Sequence, residues 1–193
     1  LESAKAATTR GTLETSAEEA AREDSPLFGS REATSYRASA ARLNYLAADR
    51  VDLQFATKCV AKHMSSPREH DWIALKRVGR YLRGSPRLIQ MFEFQEMPTV
   101  VCTYTDSEWA GDRRTRKPTS GGAVTLGSHM IKTWSSSQQV IAPTSGEAEL
   151  YALIKGAAST KGMMAMLADW NIAVQGLVRT DANAAMGIVH RHG

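Results

Sequence analysis

Val100-Val101-Cys102-Thr103-Tyr104-Thr105-Asp106 sets Val100, Cys102, Tyr104 and Asp106 against Val101, Thr103 and Thr105, the alternation of a strand that ends on a carboxylate. Two more strands are predicted after it, Gly121 to Gly127 (GGAVTLG) and Met130 to Ser135 (MIKTWS), joined by the turn Gly127-Ser128-His129, a hairpin signal. A helix is expected from about Ser145 to Thr160 and a second helical stretch from Lys161 to Trp170. A short strand, Leu177 to Thr180, then delivers Asp181 ahead of a final helix. Strand, strand, strand, helix, strand, helix is an α/β plan that mixes an antiparallel meander with a parallel crossover.

Upstream the period changes. Ala40, Leu43, Tyr45 and Leu46, then Val51, Phe55, Cys59 and Met64, recur at helical spacing, which predicts two helices meeting near Asp49-Arg50. The next helix has its ends written out: Ser66 as cap, Pro67 in the first position, Glu69 completing a Ser-x-x-Glu box, and Gly84 after the last turn. Trp72, Leu75, Val78 and Leu82 form its apolar stripe. Lys76, Arg77, Arg80 and Arg83 line the other side, a basic ridge that is either a solvated helix face or a track for nucleic-acid phosphates.

Residues 1–33 hold four basic and seven acidic residues, a net of −3, so the rest of this +4 chain carries +7. Their Ala, Glu, Thr and Ser cannot bury enough apolar surface to offset ordering entropy, and they are expected to be a disordered acidic linker, with at most a short helix near Ser16 to Arg22 that has no face to dock. A basic body behind it suits a polyanionic partner, nucleic acid first. The domain plan is thus linker 1–33, a helical segment 34–97 and an α/β domain 98–193.

Several classes fall away. No run approaches the roughly 20 apolar residues of a membrane span. The start Leu1-Glu2-Ser3-Ala4-Lys5 has neither a secretory pattern nor an initiating Met, so the expectation is an internal piece of a longer, intracellular protein, cytoplasmic or nuclear and not secreted. Two cysteines, Cys59 and Cys102, and five histidines without paired spacing supply neither a disulfide framework nor a zinc cage.

The chemistry gathers on acids. Asp106 and Asp181 end strands, and Glu147 or Glu149 lies in the first turns of the helix between them, so all can converge on one sheet edge. Carboxylates at that density repel each other unless cations neutralise them, and hard oxygen donors suit Mg²⁺ or Mn²⁺. Acids at such positions also serve simply as caps or solvated charges. Thr144-Ser145-Gly146-Glu147 fits a capping box, and at about 100° per residue Glu147 and Glu149 sit on opposite flanks of the helix. Glu149 is therefore the better ligand candidate.

Four ordered blocks carry a resemblance: Thr105-Asp106-Ser107-Glu108-Trp109-Ala110-Gly111-Asp112 with Arg116 to Gly121, Trp134-Ser135-Ser136-Ser137-Gln138-Gln139, Gly146 to Leu153, and Thr180-Asp181-Ala182. Together they closely resemble the ribonuclease H region of copia-type retrotransposon Pol polyproteins. Tyr36 to Ala47, Val51-Asp52-Leu53 and Trp72 to Leu82 look like the connection between reverse transcriptase and ribonuclease H in the same elements. The resemblance implies a ribonuclease H-like mixed sheet with flanking helices, preceded by a small helical connection. It implies a Mg²⁺- or Mn²⁺-dependent endonuclease acting on RNA/DNA hybrids, with Asp106, Glu149 and Asp181 as catalytic and metal-holding residues, working with the rest of a parent polyprotein.

Glu108, Pro118, Val51 and Pro143 depart from the family pattern. The family also continues past the point matching Gly193 with a further strand, helix and metal-side residue, so the domain is expected to be C-terminally truncated. Two readings stay open: the ribonuclease H enzyme, or an inactive remnant acting at most as a basic nucleic-acid-binding module. No polymerase, protease or integrase motif accompanies either.

Overall fold

A computed structural model describes residues 15–112 and 114–190. The chain divides into two compact units, Leu1–Gln90 and Met91–Gly193.

The first unit is helical: α1 (Ser16–Asp24), α2 (Ser30–Leu46), a short 3-10 turn (Val51–Leu53), α3 (Gln54–Ala61) and α4 (Asp71–Gly84). Tyr36, Ala40, Leu43, Leu53, Ala56, Val60, Leu75 and Val78 form one core from the stripes of α2, α3 and α4. Phe28, Tyr36 and Trp72 pack ring against ring at 5.8–6.2 Å between centroids, and the Tyr36 hydroxyl donates to Val60 O at 2.8 Å. At the α2–α3 junction Arg50 and Asp52 are buried and meet in a two-pronged pair at 2.8 and 2.9 Å. Tyr81 adds its hydroxyl to Asp52 at 2.9 Å, and Arg50 donates onward to Ser85 O and Pro86 O beyond α4.

Two expectations need correction here. The disordered linker over 1–33 does not hold from Thr15 onward, while residues 1–14 lie outside the described residues. Thr15 and Glu18 form a reciprocal capping box that starts α1. Arg22 then grips Asp71 through Nε at 2.6 Å and Nη2 at 3.2 Å. No residue of α1 is buried, so a polar anchor holds what an apolar one cannot. The predicted Ser66–Glu69 box also fails, because α4 begins at Asp71. Residues 67–69 are instead drawn onto 26–28: Phe28 N–H donates to Pro67 O, Glu69 N–H donates to Pro26 O, and Leu27 bridges Arg68.

The second unit is α/β: β1 (Val100–Glu108), β2 (Thr119–Leu126), β3 (His129–Ser137), α5 (Ser145–Asp169), β4 (Gln175–Arg179) and α6 (Asn183–His190). The sheet order is β3-β2-β1-β4, with β1 antiparallel to β2 and parallel to β4. The β2–β3 turn needs Gly127 at φ +60° and is clasped by Gln95, which accepts from Ser128 N–H and donates to Leu126 O, both at 2.9 Å. The two helical stretches expected around Thr160 are one continuous α5. Gly162 weakens a helix only by about 1 kcal/mol, and burial of Leu167 with Met163 against Val101 and Val124 outweighs it.

Gly156 brings α5 down onto the sheet. A Cβ there would stand 2.3 Å from Thr105 Cγ2 and 3.3 Å from Val178 Cγ1. One turn on, the buried hydroxyls of Thr160 and Thr103 share a hydrogen bond of 2.6 Å. The start of α5 is thereby brought to the same end of the sheet as the C-terminal ends of β1 and β4.

Candidate functional site

Asp106 and Asp181 reach that end of the sheet on adjacent parallel strands. The β1–β4 ladder runs from Val100↔Gln175 to Tyr104↔Arg179, and Thr105 Oγ1 closes it by donating to Arg179 O at 3.3 Å. Beyond the ladder, Thr180 Oγ1 accepts from Ala182 N–H at 3.2 Å, a local turn that holds the intervening Asp181. Asp106 Oδ1 accepts the N–H of Ser107 at 2.8 Å.

α5 supplies the third acid. Thr144 caps the helix by accepting from Glu147 N–H at 3.2 Å, which places Glu147 at the helix terminus. Glu149, on the opposite flank, offers its carboxylate to the two aspartates: one ligand oxygen from each of Asp106, Glu149 and Asp181 lies within 4.8 Å of the others. Of the two glutamates, it is Glu149 that joins the group.

The electrostatics match this crowding. Burial, and then the charge of Asp106, push the Glu149 carboxyl above its ordinary range. Asp181 adds a smaller push, while the amide and hydroxyl of Ser107 oppose it. That opposition is weak, because Ser107 lies near Glu149 without meeting hydrogen-bond geometry: Glu149 Oε2 and Ser107 Oγ are both buried without a well-formed hydrogen bond among the described residues. A carboxyl oxygen left in this way is an acceptor that no donor among the described residues satisfies.

The basic residues singled out from the sequence lie on α4 of the first unit. Lys76, Arg80 and Arg83 are exposed and Arg77 is half-buried. Two residues beside the acids carried no assigned role in the sequence. Ser107 gives no signal beyond following Asp106. Gln138 stands within the Trp134–Gln139 block, and only its buried contacts single it out.

The fold and this edge define an α/β domain that presents three convergent carboxylates, joined in sequence to a helical unit. The chain is 33% identical over 139 residues to the retrovirus-related Pol polyprotein from transposon RE2 of Arabidopsis thaliana, covering 72% of the chain and 10% of that polyprotein. The corresponding RE1 polyprotein is 32% identical over 139 residues, 72% of the chain and 9% of its own length. Secreted RxLR effector protein 161 of Plasmopara viticola is 35% identical over 105 residues, 54% of the chain and 72% of that protein. The chain is a homologue of the retrovirus-related Pol polyproteins of copia-type transposons, and it spans about a tenth of the length of the first of them. No family model matches it, and no solved structure matches significantly. Among the described residues, no helix is long and apolar enough to cross a membrane.

Proposed function

We propose that the second unit is the ribonuclease H region of a retrotransposon polyprotein and hydrolyses the RNA strand of RNA/DNA hybrids with Mg²⁺ or Mn²⁺. The observation that carries this reading is the convergence of Asp106, Glu149 and Asp181 within 4.8 Å around a buried Glu149 Oε2 that has no well-formed hydrogen bond among the described residues. An all-carboxylate donor set fits a hard divalent cation and fits zinc or copper poorly. Asp106, Glu149 and Asp181 would hold it. Once bound, such an ion supplies a Lewis acid and an acidified water for phosphodiester hydrolysis.

The remaining work belongs to the chain's own groups. β1 and β4 fix the two aspartates as strand-end neighbours, and α5 holds Glu149 against them, so the donors are preorganised before any ligand arrives. Their combined negative charge repels a phosphate backbone until it is neutralised, which couples substrate approach to cation uptake. On the first unit, Lys76, Arg77, Arg80 and Arg83 form the ridge that tracks backbone phosphates of the hybrid. The partners are thus an RNA/DNA hybrid and the rest of the parent polyprotein.

The test is cleavage of an end-labelled RNA/DNA hybrid by the parent chain and by Asp106→Asn, with Mg²⁺, with Mn²⁺ and with chelator. Metal-dependent cutting that the substituted chain loses supports the proposal. Hybrid binding without any cutting overturns it in favour of a non-catalytic nucleic-acid-binding remnant.

A further inference from the structure

We infer that Gln138 is a positioning residue that sets Glu149 against Asp106, an inference that rests on the proposed function. Gln138 follows β3, and its side chain is buried. Its backbone N–H donates to Pro118 O at 2.8 Å, which anchors it beside the start of β2. From there Nε2 donates to two acceptors, Ser120 Oγ at 2.9 Å and Ala148 O at 2.8 Å. Ser120 stands opposite Ser107 in the β1–β2 register, and Ala148 immediately precedes Glu149. One amide group thus ties the strand pair that carries Asp106 to the helical turn that carries Glu149.

That tie acts where the helix most needs it. The Thr160–Thr103 hydrogen bond anchors α5 about three turns beyond Glu149. With Gly156 packed on Thr105 one turn earlier, the middle of α5 is held against the sheet, and a small tilt about that region moves the first turn most. Gln138 fixes the first turn itself. The carbonyl of Ala148 can accept this bond on its second lone pair without giving up its place in the helix.

The rest of the side chain argues against a purely stabilising role. Gln138 Oε1 is buried without a hydrogen-bond partner among the described residues. A thioether of similar length would fill the same space without this orphan, at the cost of the partner that Nε2 gives Ser120 Oγ. The two donors are therefore what the site gains from a glutamine at this position.

The experiment compares the full chain with Gln138→Met and, as a milder variant, Ser120→Ala. For Gln138→Met the melting temperature should change by only a few degrees, since the loss of the Ser120 bond is offset by removal of the orphaned Oε1. Amide hydrogen exchange at Ala148 to Ala152 should speed up about tenfold or more, with Thr160 to Leu167 unchanged, and Mn²⁺ affinity measured by titration should weaken about tenfold or more. Ser120→Ala should shift exchange and affinity in the same direction by less. Unchanged exchange in the first turn, Mn²⁺ bound as tightly as by the parent, or a large drop in melting temperature with uniformly faster exchange would each overturn the inference. If the parent chain takes up no Mn²⁺, the proposed function fails, and the exchange measurement alone decides whether Gln138 holds the turn.

Discussion

Glu149, from the start of a helix, and Asp106, near the C-terminal end of β1, are held so that the Asp106 charge makes the Glu149 charge harder to keep. Burial and the Asp106 charge raise the Glu149 proton affinity in the folded state relative to the unfolded chain. A group shifted in that direction contributes its stability fully below the ordinary carboxylate range and loses it as pH rises through the folded value. In chelator, the second unit should therefore lose stability between mildly acidic and neutral pH. Glu149→Gln should abolish that loss and raise the neutral-pH melting temperature by a few degrees. Thermal melts across pH check this; Asp106→Asn or Glu149→Gln chains no more stable than the parent at neutral pH would count against the crowding.

Arg50 and Asp52 give the opposite sign. Hydrogen bonds from Arg50, and a smaller one from Tyr81, hold the Asp52 carboxyl below its usual value despite burial. Its contribution is present above the ordinary carboxylate range and is lost as pH falls through the folded value. Asp52→Ala should cost about 3–5 kcal/mol, because it strands a buried guanidinium. Tyr81→Phe should cost about 1.5–3 kcal/mol for a hydrogen bond to a charged group. Urea unfolding of both variants should keep that order.

Removal of Arg22 should destabilise the first unit. Arg22→Ala takes the guanidinium from Asp71, which keeps the Arg68 N–H at 2.7 Å in a site where the aspartate is 3% exposed. A loss of about 3 kcal/mol is expected for breaking such a pair. Limited proteolysis should then cut near Ser25 much faster than in the parent.

Gly156→Ala tests the approach of α5 to the sheet. The added methyl meets Thr105 Cγ2, so overpacking should cost about 1–3 kcal/mol and weaken the Thr103–Thr160 hydrogen bond. Because the first turn of α5 moves with it, Mn²⁺ affinity should fall as well. A variant as stable as the parent would show that the helix can back away freely.

Charge reversal on the α4 ridge separates binding from chemistry. Lys76→Glu with Arg80→Glu should weaken hybrid and duplex binding alike and lower the salt dependence by about one for each lost phosphate contact. Asp106→Asn should leave that slope unchanged. An identical salt slope after reversal would reduce the ridge to a solvated face.

Much of the second unit was legible because its signals are local. Alternation ending at Asp106, the Gly127 turn and the Thr144 cap each name an element from a few neighbouring residues. The separation of Glu147 from Glu149 followed from helix geometry alone. What escaped the sequence is long-range and polar. Arg22 finds Asp71 49 positions away, and Leu27 bridges Arg68, which delays α4 past a well-formed capping signal at Ser66. Composition marked residues 1–33 as unable to bury apolar surface, and that holds for α1, yet an ion pair docks it. Gln138 was invisible for the same reason, since its partners Ser120 and Ala148 come from two other elements.

The parallel partnership of β1 with β4 has a kinetic consequence. β1, β2 and β3 are joined by short connections and can pair early, whereas β4 must cross back over α5 to reach β1, some 75 positions away in the Val100↔Gln175 register. Asp181 is therefore expected to arrive on a contact that closes late, after the early sheet has formed. The mutual repulsion of the three acids acts on that final docking step and falls mainly on the rate of escape from the native state, leaving the early sheet free to nucleate. Neutralising the cluster, by mutation or by a bound cation, should slow unfolding far more than it speeds refolding.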